Sequence, residues 1–425
     1  MKSSSELFPV TLSRAELLGS YADDIYLVKH NTDTDKTVQV AVSHLSPVVG
    51  AERPQAGSAQ PVVLVHGAFQ NRNQWLGMQG EGLAGWLVDQ GFDVWLMEMR
   101  GHGYSPRNRD YQRNTAESCA CYDVPAVNAF VQEQTGRKPV WIGHSLGGLA
   151  VATAVAATLL TPENCAGTVL LGTQVLKRPW YMWLPLTGVS LRTMMKIKGE
   201  LDGQKAGMGP ENEPVGVVNE YLRRQGLFGK WQLREQKRLL LPGWRAARLP
   251  LLMVSGGADE MAPADACQRF FDLYGSLADA TPDISVVSDA PQGDETDIEP
   301  ALNTVVGERE ADSGDVPGLS ADQTPMVDSP LDIGSDLVTN GAGEVSGDVS
   351  GEVSGEADKT DDVLNPVQQP DVAGHAHSVS AHLIMAVAHG ASMDFDSGAL
   401  AEGEPAQVEL WPRIKHWLDA LAHQS

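Results

Sequence analysis

Short apolar runs alternate with longer amphipathic segments along most of this chain. Runs of four to eight apolar residues bounded by turn residues predict buried strands, and the longer segments predict helices. A strand–helix alternation is typical of a mostly parallel sheet that is covered by helices on both faces. The predicted strands lie within residues 21–46 (two strands) and near 61–65, 92–97, 139–142, 167–171, 250–255 and 381–388. The predicted helices lie near residues 80–90, 118–134, 146–160, 263–274 and 405–422.

One turn between a predicted strand and a predicted helix is rich in glycine and carries a serine. Residues 143–148 read GHSLGG and follow the apolar run at 140–142 directly. Gly143 and Gly147 leave room for a tight strand-to-helix turn, because side chains there would collide with the neighbouring strand or helix. Such a turn lifts the Ser145 hydroxyl clear of the sheet, where a base can reach it. The sequence therefore predicts Ser145 as a nucleophile.

A serine nucleophile needs a histidine to take its proton and a carboxylate to orient that histidine. In hydrolases built on this turn, the order along the chain is serine, acid, histidine. Asp259 lies in the loop after the predicted strand near 250–255 and is the expected acid, with Glu260 and Asp265 as the nearest alternatives. His389 follows the last predicted strand and is the expected base. An N-cap role for Asp259 and an ordinary loop role for His389 remain open. The other histidines of this region lie before or inside that strand or in the final helix: His375, His377, His382 and His416.

A second loop supplies groups that can hold a negative charge. The apolar run at 61–65 ends in residues 66–69, which read HGAF. The backbone N–H groups of Ala68 and Leu146 are the expected donors to the oxyanion that forms when a serine attacks a carbonyl. His66 is expected to fix the loop through its ring rather than to move protons.

Several motifs resemble those of one enzyme family. Residues 65–68 (VHGA), 91–96 (GFDVWL), 100–105 (RGHGYS), 122–126 (YDVPA) and 255–263 (SGGADEMAP) are similar, together with the serine turn, to the α/β-hydrolases. Within that superfamily the chain looks most like the acid-lipase and ester-lipase branch. The resemblance covers residues 20–275 and 379–423.

The resemblance implies a fold, an activity and the absence of a cofactor. It implies an eight-stranded, mostly parallel sheet whose two leading strands are antiparallel, and cleavage of carboxylic esters through an acyl-enzyme. No metal and no organic cofactor are expected. Acid lipases usually carry an aspartate two residues after the catalytic histidine, whereas the aspartate here is Asp394, so the local loop is expected to differ.

The strand–helix alternation breaks between residues 173 and 245, where hydrolases of this fold insert a cap over the nucleophile. Residues 178–186 (RPWYMWLPL) are densely aromatic and apolar. Three roles for this stretch remain open: packing onto the hydrolase core, lining an acyl pocket, or transient contact with a membrane surface. The predicted hydrolase core comprises the remaining parts, residues 1–172, 246–278 and 379–425.

Nearly all of the acidity of the chain lies in one segment. The formal net charge is −24, and the stretch from 279 to 371 holds 23 acidic and two basic residues, which leaves −3 for the rest. This stretch lacks aromatic residues and contains the repeat GEVSGDVSGEVSG at 343–355. It cannot bury enough apolar surface to offset its chain entropy, so residues 279–378 are predicted to be a disordered acidic insert.

Other features of the sequence bear on the cellular location and the substrate of the protein. No run of eighteen apolar residues predicts a membrane span, and the first residues do not resemble a secretory signal. The four cysteines lack metal-site or disulfide-scaffold spacing, which favours a reducing, cytoplasmic location. The expected partner is a small-molecule or lipid ester, and no nucleic acid. An acyltransferase with the same triad and a non-catalytic binding protein on the same fold remain alternatives, and the sequence leaves the oligomeric state open.

Overall fold

The structure is a computed structural model, and it describes residues 10–30, 32–48, 59–77, 79–176, 199–225, 230–277, 380–386, 389 and 391–422. The chain divides into two units, Met1–Ile284 with Ala373–Ser425 and Ser285–Val372. All of the described residues belong to the first unit. The predicted acidic insert and the aromatic stretch of the cap at 178–186 lie outside the described residues, so both stay predictions.

A twisted sheet of nine strands organises the described residues. Its order is β1-β2-β3-β5-β4-β6-β7-β10-β11, with β1 to β3 antiparallel and the pairs from β5 to β11 parallel. A separate pair, β8 with β9, is antiparallel. The strands are β1 Thr11–Leu18, β2 Tyr21–Lys29, β3 Gln39–Pro47, β4 Pro61–Val65, β5 Asp93–Met97, β6 Val140–His144, β7 Gly167–Leu171, β8 Glu200–Leu201, β9 Glu213–Pro214, β10 Leu251–Gly256 and β11 Ala381–Met385.

The predicted count of eight strands in this sheet was one too few. Strand β1 forms the edge beside β2, and most of its residues are exposed. It lacks the apolar alternation of a half-buried strand, since neither set of alternate positions in its sequence TLSRAELL is consistently apolar. Sequence pattern detects burial, and an exposed edge strand leaves little of that signal.

Helices cover the sheet on both faces. They are α1 Asn73–Leu76, α2 Leu83–Asp89, α3 Ala116–Ser118, α4 Val124–Thr135, α5 Ser145–Ala156, α6 Gly203–Ala206, α7 Val215–Gln225, α8 Leu240–Arg245, α9 Ala264–Leu273 and α10 Trp411–Ala422. A 3-10 turn spans Tyr111–Arg113, and π-helical turns at Cys119–Asp123 and Ala406–Leu410 lead into α4 and α10. Within the described part of the chain, no helix is long and apolar enough to cross a membrane.

The apolar core consists of two layers, one on each side of the sheet. Along β4, Val63 and Val65 face the layer that contains Trp141, whereas Val62 and Leu64 face the layer that contains Trp75. This alternation follows from the two-residue period of a strand. Because both faces of the central strands are buried, β4 is apolar throughout and β6 is apolar over residues 140–142 before it ends in Gly143 and His144.

A buried ionic network fixes the loop after β5. The Arg100 guanidinium donates to Asp123 through Nε (2.7 Å) and Nη2 (2.5 Å), and to Asp33 through Nη1 (2.5 Å). His30 Nε2 lies 2.7 Å from Asp123 Oδ1. Burial alone would raise the pKa of Asp123, but Arg100 and then His30 outweigh it, and the pKa is lowered. The network ties β2, the loop after β5 and the start of α4 together on one side of the sheet.

Replacing Asp123 with alanine removes the carboxylate that Arg100 and His30 share. We expect the free energy of unfolding to fall by about 3–5 kcal/mol, because buried Arg100 loses one of its two carboxylate partners and His30 loses its acidic partner. Urea unfolding followed by circular dichroism measures this change. Asp265→Ala is the control, since Asp265 and Arg269 form an exposed pair, and its loss should stay within about 1 kcal/mol. Equal losses in the two variants would contradict this account of the network.

Candidate active site

Ser145 lies at the junction of β6 and α5 in a strained backbone conformation. Its φ angle is +48°, in the left-handed region that residues other than glycine rarely adopt. The preceding strand ends at His144, and the helix begins at Ser145 itself. The side chain therefore leaves the sheet at the carboxyl end of β6, where it is half-buried.

Glycines surround this turn because neighbouring backbone approaches it closely. A Cβ atom on Gly147 would lie 2.4 Å from the carbonyl oxygen of His66, and one on Gly143 would lie 2.6 Å from Cα of Gly148. Gly148 is restricted as well, since its Cβ would lie 2.0 Å from Oγ1 of Thr173. Real Cβ contacts essentially never fall below 3.0 Å. The turn therefore needs a third glycine beyond the two that the motif singles out.

The loop after β4 lies against the serine. A Cβ atom on Gly67 would lie 3.5 Å from the Cβ of Ser145. The His66 ring donates from Nδ1 to the Gly67 carbonyl (2.8 Å) and accepts at Nε2 from the Met99 N–H (3.0 Å). That carbonyl belongs to the same peptide unit as the Ala68 N–H, so holding the oxygen also fixes the direction of the N–H. Burial, with smaller contributions from His102 and His144, lowers the pKa of His66 to about 3, which keeps the ring neutral.

A relay of three polar groups joins this loop to the serine turn. The Gly67 N–H donates to Oε1 of Gln74 (2.9 Å), and Nε2 of Gln74 donates to Nδ1 of His144 (2.9 Å). His144 in turn donates from Nε2 to the carbonyl of Ser397 (2.8 Å). Burial lowers the pKa of His144 to about 4, so the ring is a neutral link with a defined tautomer. His144 holds Gln74 and Ser397 through its two ring nitrogens, so its acceptor nitrogen, Nδ1, already has a hydrogen bond.

Asp259 lies buried after β10, with its carboxylate beside the end of β7. Its Oδ1 accepts from the N–H groups of Met261 and Ala262, both at 2.9 Å. A Cβ on Gly172 would lie 3.1 Å from Oδ2 of Asp259 and equally far from Oγ of Ser397. The carboxylate therefore faces the carboxyl end of the strand next to β6.

The two alternative acids lie in different surroundings. Glu260 and Asp265 are exposed, and Asp265 pairs with Arg269 at 2.7 Å. Both lack the burial of Asp259, which is only 3% exposed.

His389 lies in a turn after β11 with an exposed side chain. Its N–H donates to the Ala386 carbonyl (2.9 Å). Among the contacts of the described residues, no hydrogen bond joins its ring to Ser145 or Asp259. Its sequence neighbours 387, 388 and 390 lie outside those residues.

His382, the neighbouring histidine on β11, is already occupied. Its Nε2 lies 2.9 Å from Oγ of Ser255, and its Nδ1 lies 2.6 Å from Oε1 of Gln268. Burial lowers its pKa to about 4. Ser255 is fully buried. His382 therefore has a structural role, because it links β11 to β10 through Ser255 and to α9 through Gln268.

Three residues near the site were missed by the sequence reasoning: Gln74, Ser397 and Glu213. Each bonds to a site residue that is far away in sequence: Gln74 and Ser397 bond to His144, and Glu213 accepts a hydrogen bond from the Phe69 N–H (2.9 Å). No local motif marks these positions, because their roles depend on contacts that only the folded chain creates. Among the described residues, no three or more His, Cys, Asp or Glu side chains are grouped so that they could hold a metal ion.

Comparisons with known proteins agree with this architecture. A family model for the alpha/beta hydrolase fold matches residues 60–196. The chain is 35% identical over 108 residues to triacylglycerol lipase 2 of Arabidopsis thaliana, which covers 24% of this chain and 26% of that protein. It is 34% identical over 100 residues to gastric triacylglycerol lipase of Homo sapiens, which covers 21% and 25% respectively. The chain thus spans about a quarter of the length of the curated relatives it matches. The crystal structure of a monoacylglycerol lipase of Paleococcus ferrophilus superposes with a TM-score of 0.36 at 20% identity, covering 51% of this chain and 80% of that one.

The strand order, the serine turn after β6 and the family match together define the class. Residues 60–196 match the family model for the alpha/beta hydrolase fold, and the strand order of the sheet agrees with it, so the fold predicted from the motifs is confirmed. The curated relatives that resemble this chain over about a quarter of their length carry the names of lipases.

Gly147→Ala tests the close approach between the serine turn and the loop after β4. We expect the free energy of unfolding to fall by about 1–3 kcal/mol, since the added methyl meets backbone that cannot move aside. Labelling of Ser145 by a fluorophosphonate should slow by at least about tenfold, because the turn is displaced.

Gly398→Ala is the matched control, because the nearest atom to its added Cβ is Oδ1 of Asp396 at 3.5 Å. This variant should keep both stability and labelling rate. A Gly147→Ala protein that labels as fast as wild type would show that the turn tolerates the displacement.

Proposed function

We propose that this protein is a serine hydrolase that cleaves carboxylic esters of the lipase and esterase type. The observation that carries the proposal is the strained Ser145, with φ +48°, lying against a loop whose Ala68 peptide unit is held in a fixed orientation by His66. A nucleophile held beside preset backbone donors is the arrangement that acyl transfer requires.

Three strand ends supply the catalytic groups in this proposal. Ser145 follows β6, Asp259 follows β10 and His389 follows β11, and the sheet order is β6-β7-β10-β11. Since these strands are parallel, their carboxyl ends meet at one edge of the sheet, which supports a shared site. Hydrogen bonds between catalytic groups are often long without substrate and tighten in the complex.

The chemistry follows from these positions. Ser145 Oγ attacks the ester carbonyl while His389 takes its proton, which forms a tetrahedral oxyanion. The proton then passes from His389 to the leaving alcohol as the ester C–O bond breaks, and an acyl-enzyme remains. Water, deprotonated by His389, attacks the acyl carbon and restores the free serine. Asp259 orients the imidazole and stabilises its charged form.

The oxyanion is held by two backbone donors in this proposal, the N–H groups of Ala68 and Leu146. Within the described part of the chain, the Ala68 N–H makes no hydrogen bond. The Leu146 N–H lies in the first turn of α5, where amides lack partners within the helix. Both groups are thus available, and a helix N-terminus favours negative charge.

The substrate is expected to be an ester with an apolar acyl part. The two curated relatives carry names that describe action on triacylglycerols. The aromatic stretch at 178–186 belongs to the predicted cap. Of its three expected roles (packing onto the hydrolase core, lining an acyl pocket or contacting a lipid surface), the last two favour an apolar ester. An acyltransferase would use the same residues and would pass the acyl group to another acceptor.

Matched histidine variants test the assignment of the catalytic base. Ser145→Ala should abolish fluorophosphonate labelling and ester hydrolysis, and His389→Ala should lower kcat by roughly 10⁴–10⁶-fold. His382→Ala is the control on the neighbouring strand and should keep kcat within a few-fold. Initial rates on p-nitrophenyl butyrate, with unfolding midpoints for each variant, provide the measurement. Loss of activity in His382→Ala but not in His389→Ala would overturn the assignment.

The acyl preference tests the lipase branch of the proposal. We expect kcat/KM to rise along a series of p-nitrophenyl esters from acetate towards longer chains, because each buried methylene contributes about 0.8 kcal/mol of transfer free energy. Activity confined to acetate and butyrate would argue against a long apolar pocket. Repeating the series with an added alcohol, and measuring ester product against free acid, separates a hydrolase from an acyltransferase.

A further inference from the structure

Part of the predicted cap is hydrogen-bonded to the loop after β4, which carries the proposed oxyanion donor Ala68. We call residues 199–225 the cap segment. Its Glu211 N–H donates to the carbonyl of Phe69 (3.0 Å), and the Glu211 side chain accepts from Nδ2 of Asn71 (2.7 Å). The Phe69 N–H donates to Oε1 of Glu213 (2.9 Å). Both backbone groups of Phe69 are therefore held by the cap segment.

Phe69 occupies a conformation that its side chain disfavours. Its φ angle is +61°, in the left-handed region, and Phe69 follows Ala68 directly. The cap segment approaches this backbone closely, since a Cβ on Gly209 would lie 2.3 Å from the Phe69 carbonyl oxygen. A non-glycine residue persists in this region only where its surroundings over-determine it. The hydrogen bonds that Phe69 makes with Glu211 and Glu213 provide that restraint.

Glu213 is an unusual group to find in this place. It is 1% exposed, and its Oε1 also lies 3.2 Å from Nε2 of His102. Its second oxygen has no hydrogen-bond partner among the described residues. A buried carboxylate is costly in free energy unless charge and hydrogen bonds compensate it, so Glu213 depends on its contacts with Phe69 and His102.

His102 faces this carboxylate from the loop after β5. Its Nδ1 lies 3.3 Å from the Arg100 carbonyl and its Nε2 faces Glu213, so both ring nitrogens meet oxygen acceptors. Burial alone would lower the pKa of His102, but the charge and hydrogen bond of Glu213 outweigh it, and the pKa is raised. The pair joins the loop after β5, the loop after β4 and the cap segment at one point.

We propose that Glu213 is a positioning residue of the ester hydrolase, which holds Phe69 in its left-handed conformation and thereby aims the Ala68 N–H at the oxyanion. This inference rests on the proposed function. The link between the cap segment and the oxyanion loop is then the single hydrogen bond between Glu213 and Phe69. The effect of Glu213 falls on kcat rather than on substrate binding, because negative charge on the ester oxygen develops only as the serine attacks.

Two substitutions of similar size isolate that hydrogen bond. Glu213→Gln keeps an acceptor for the Phe69 N–H, whereas Glu213→Met fills similar space without one. We expect Glu213→Met to lower kcat by about ten- to a hundred-fold with KM within about threefold, as for a displaced catalytic group. Glu213→Gln should keep kcat within about threefold. The measurement is steady-state hydrolysis of p-nitrophenyl butyrate by the full chain, with near-UV circular dichroism and the unfolding midpoint of each variant.

Glu220→Met provides the control for general weakening of the cap segment. Glu220 is also a buried glutamate of this segment, and it pairs with Arg224 at 2.6 Å instead of contacting the loop after β4. Its substitution should leave kcat within about threefold. An equal fall in kcat for the Glu213→Met and Glu220→Met proteins would overturn the proposal, as would a rise in KM alone.

The outcomes separate this inference from the function on which it rests. If the wild-type chain neither hydrolyses esters nor reacts with a fluorophosphonate, both the proposed function and the role of Glu213 are overturned. A wild-type chain that turns over, with equal kcat in the Met and Gln variants at 213, removes only the role of Glu213. If Glu213→Met does not fold, the Glu213→Gln protein decides alone: kcat near that of wild type supports the proposal, and a fall of more than tenfold overturns it.

Discussion

The strained backbone at Ser145 is the constraint on which the rest of the site depends. A positive φ at a residue with a side chain persists only where packing leaves no alternative. Here the turn is closed on three sides: by the His66 carbonyl over Gly147, by the backbone of Gly148 over Gly143, and by the Thr173 hydroxyl over Gly148. Those contacts arise because β4, β6 and β7 are adjacent in the sheet. The geometry of the serine is thus a property of three strands together.

Buried histidines do most of the positioning around this turn, and they do it uncharged. His66 and His144 each accept one hydrogen bond and donate another, which defines their tautomers, and burial lowers the pKa of each far below neutrality. His102 differs, because a carboxylate faces it and its pKa is raised. An exposed histidine beside the same sheet edge, His389, is left for proton transfer in the proposed mechanism.

The parts of the structure that depend on residues close together in sequence could be predicted from the sequence. The serine turn was predictable because its glycines and the preceding apolar strand lie within a few residues of Ser145. The fold was predictable for the same reason, and the parallel strands were visible because burial on both faces makes them continuously apolar. Strand β1 was not predictable, since an exposed edge strand shows no such pattern. Gln74, Ser397 and Glu213 were missed because each bonds to a site residue far away in sequence. The convergence of Asp259 and His389 on Ser145 remains a prediction.

Strand β11 pairs with β10 and stands last in the order of the sheet. An outermost strand is bonded along one side only, so it can detach at a smaller free-energy cost than the strands between two neighbours. In the proposed mechanism that strand carries the base, while the nucleophile follows a strand held on both sides. Mild denaturant or gentle heating would then separate the two: turnover would disappear while the central sheet, its tryptophans and the serine turn were still folded.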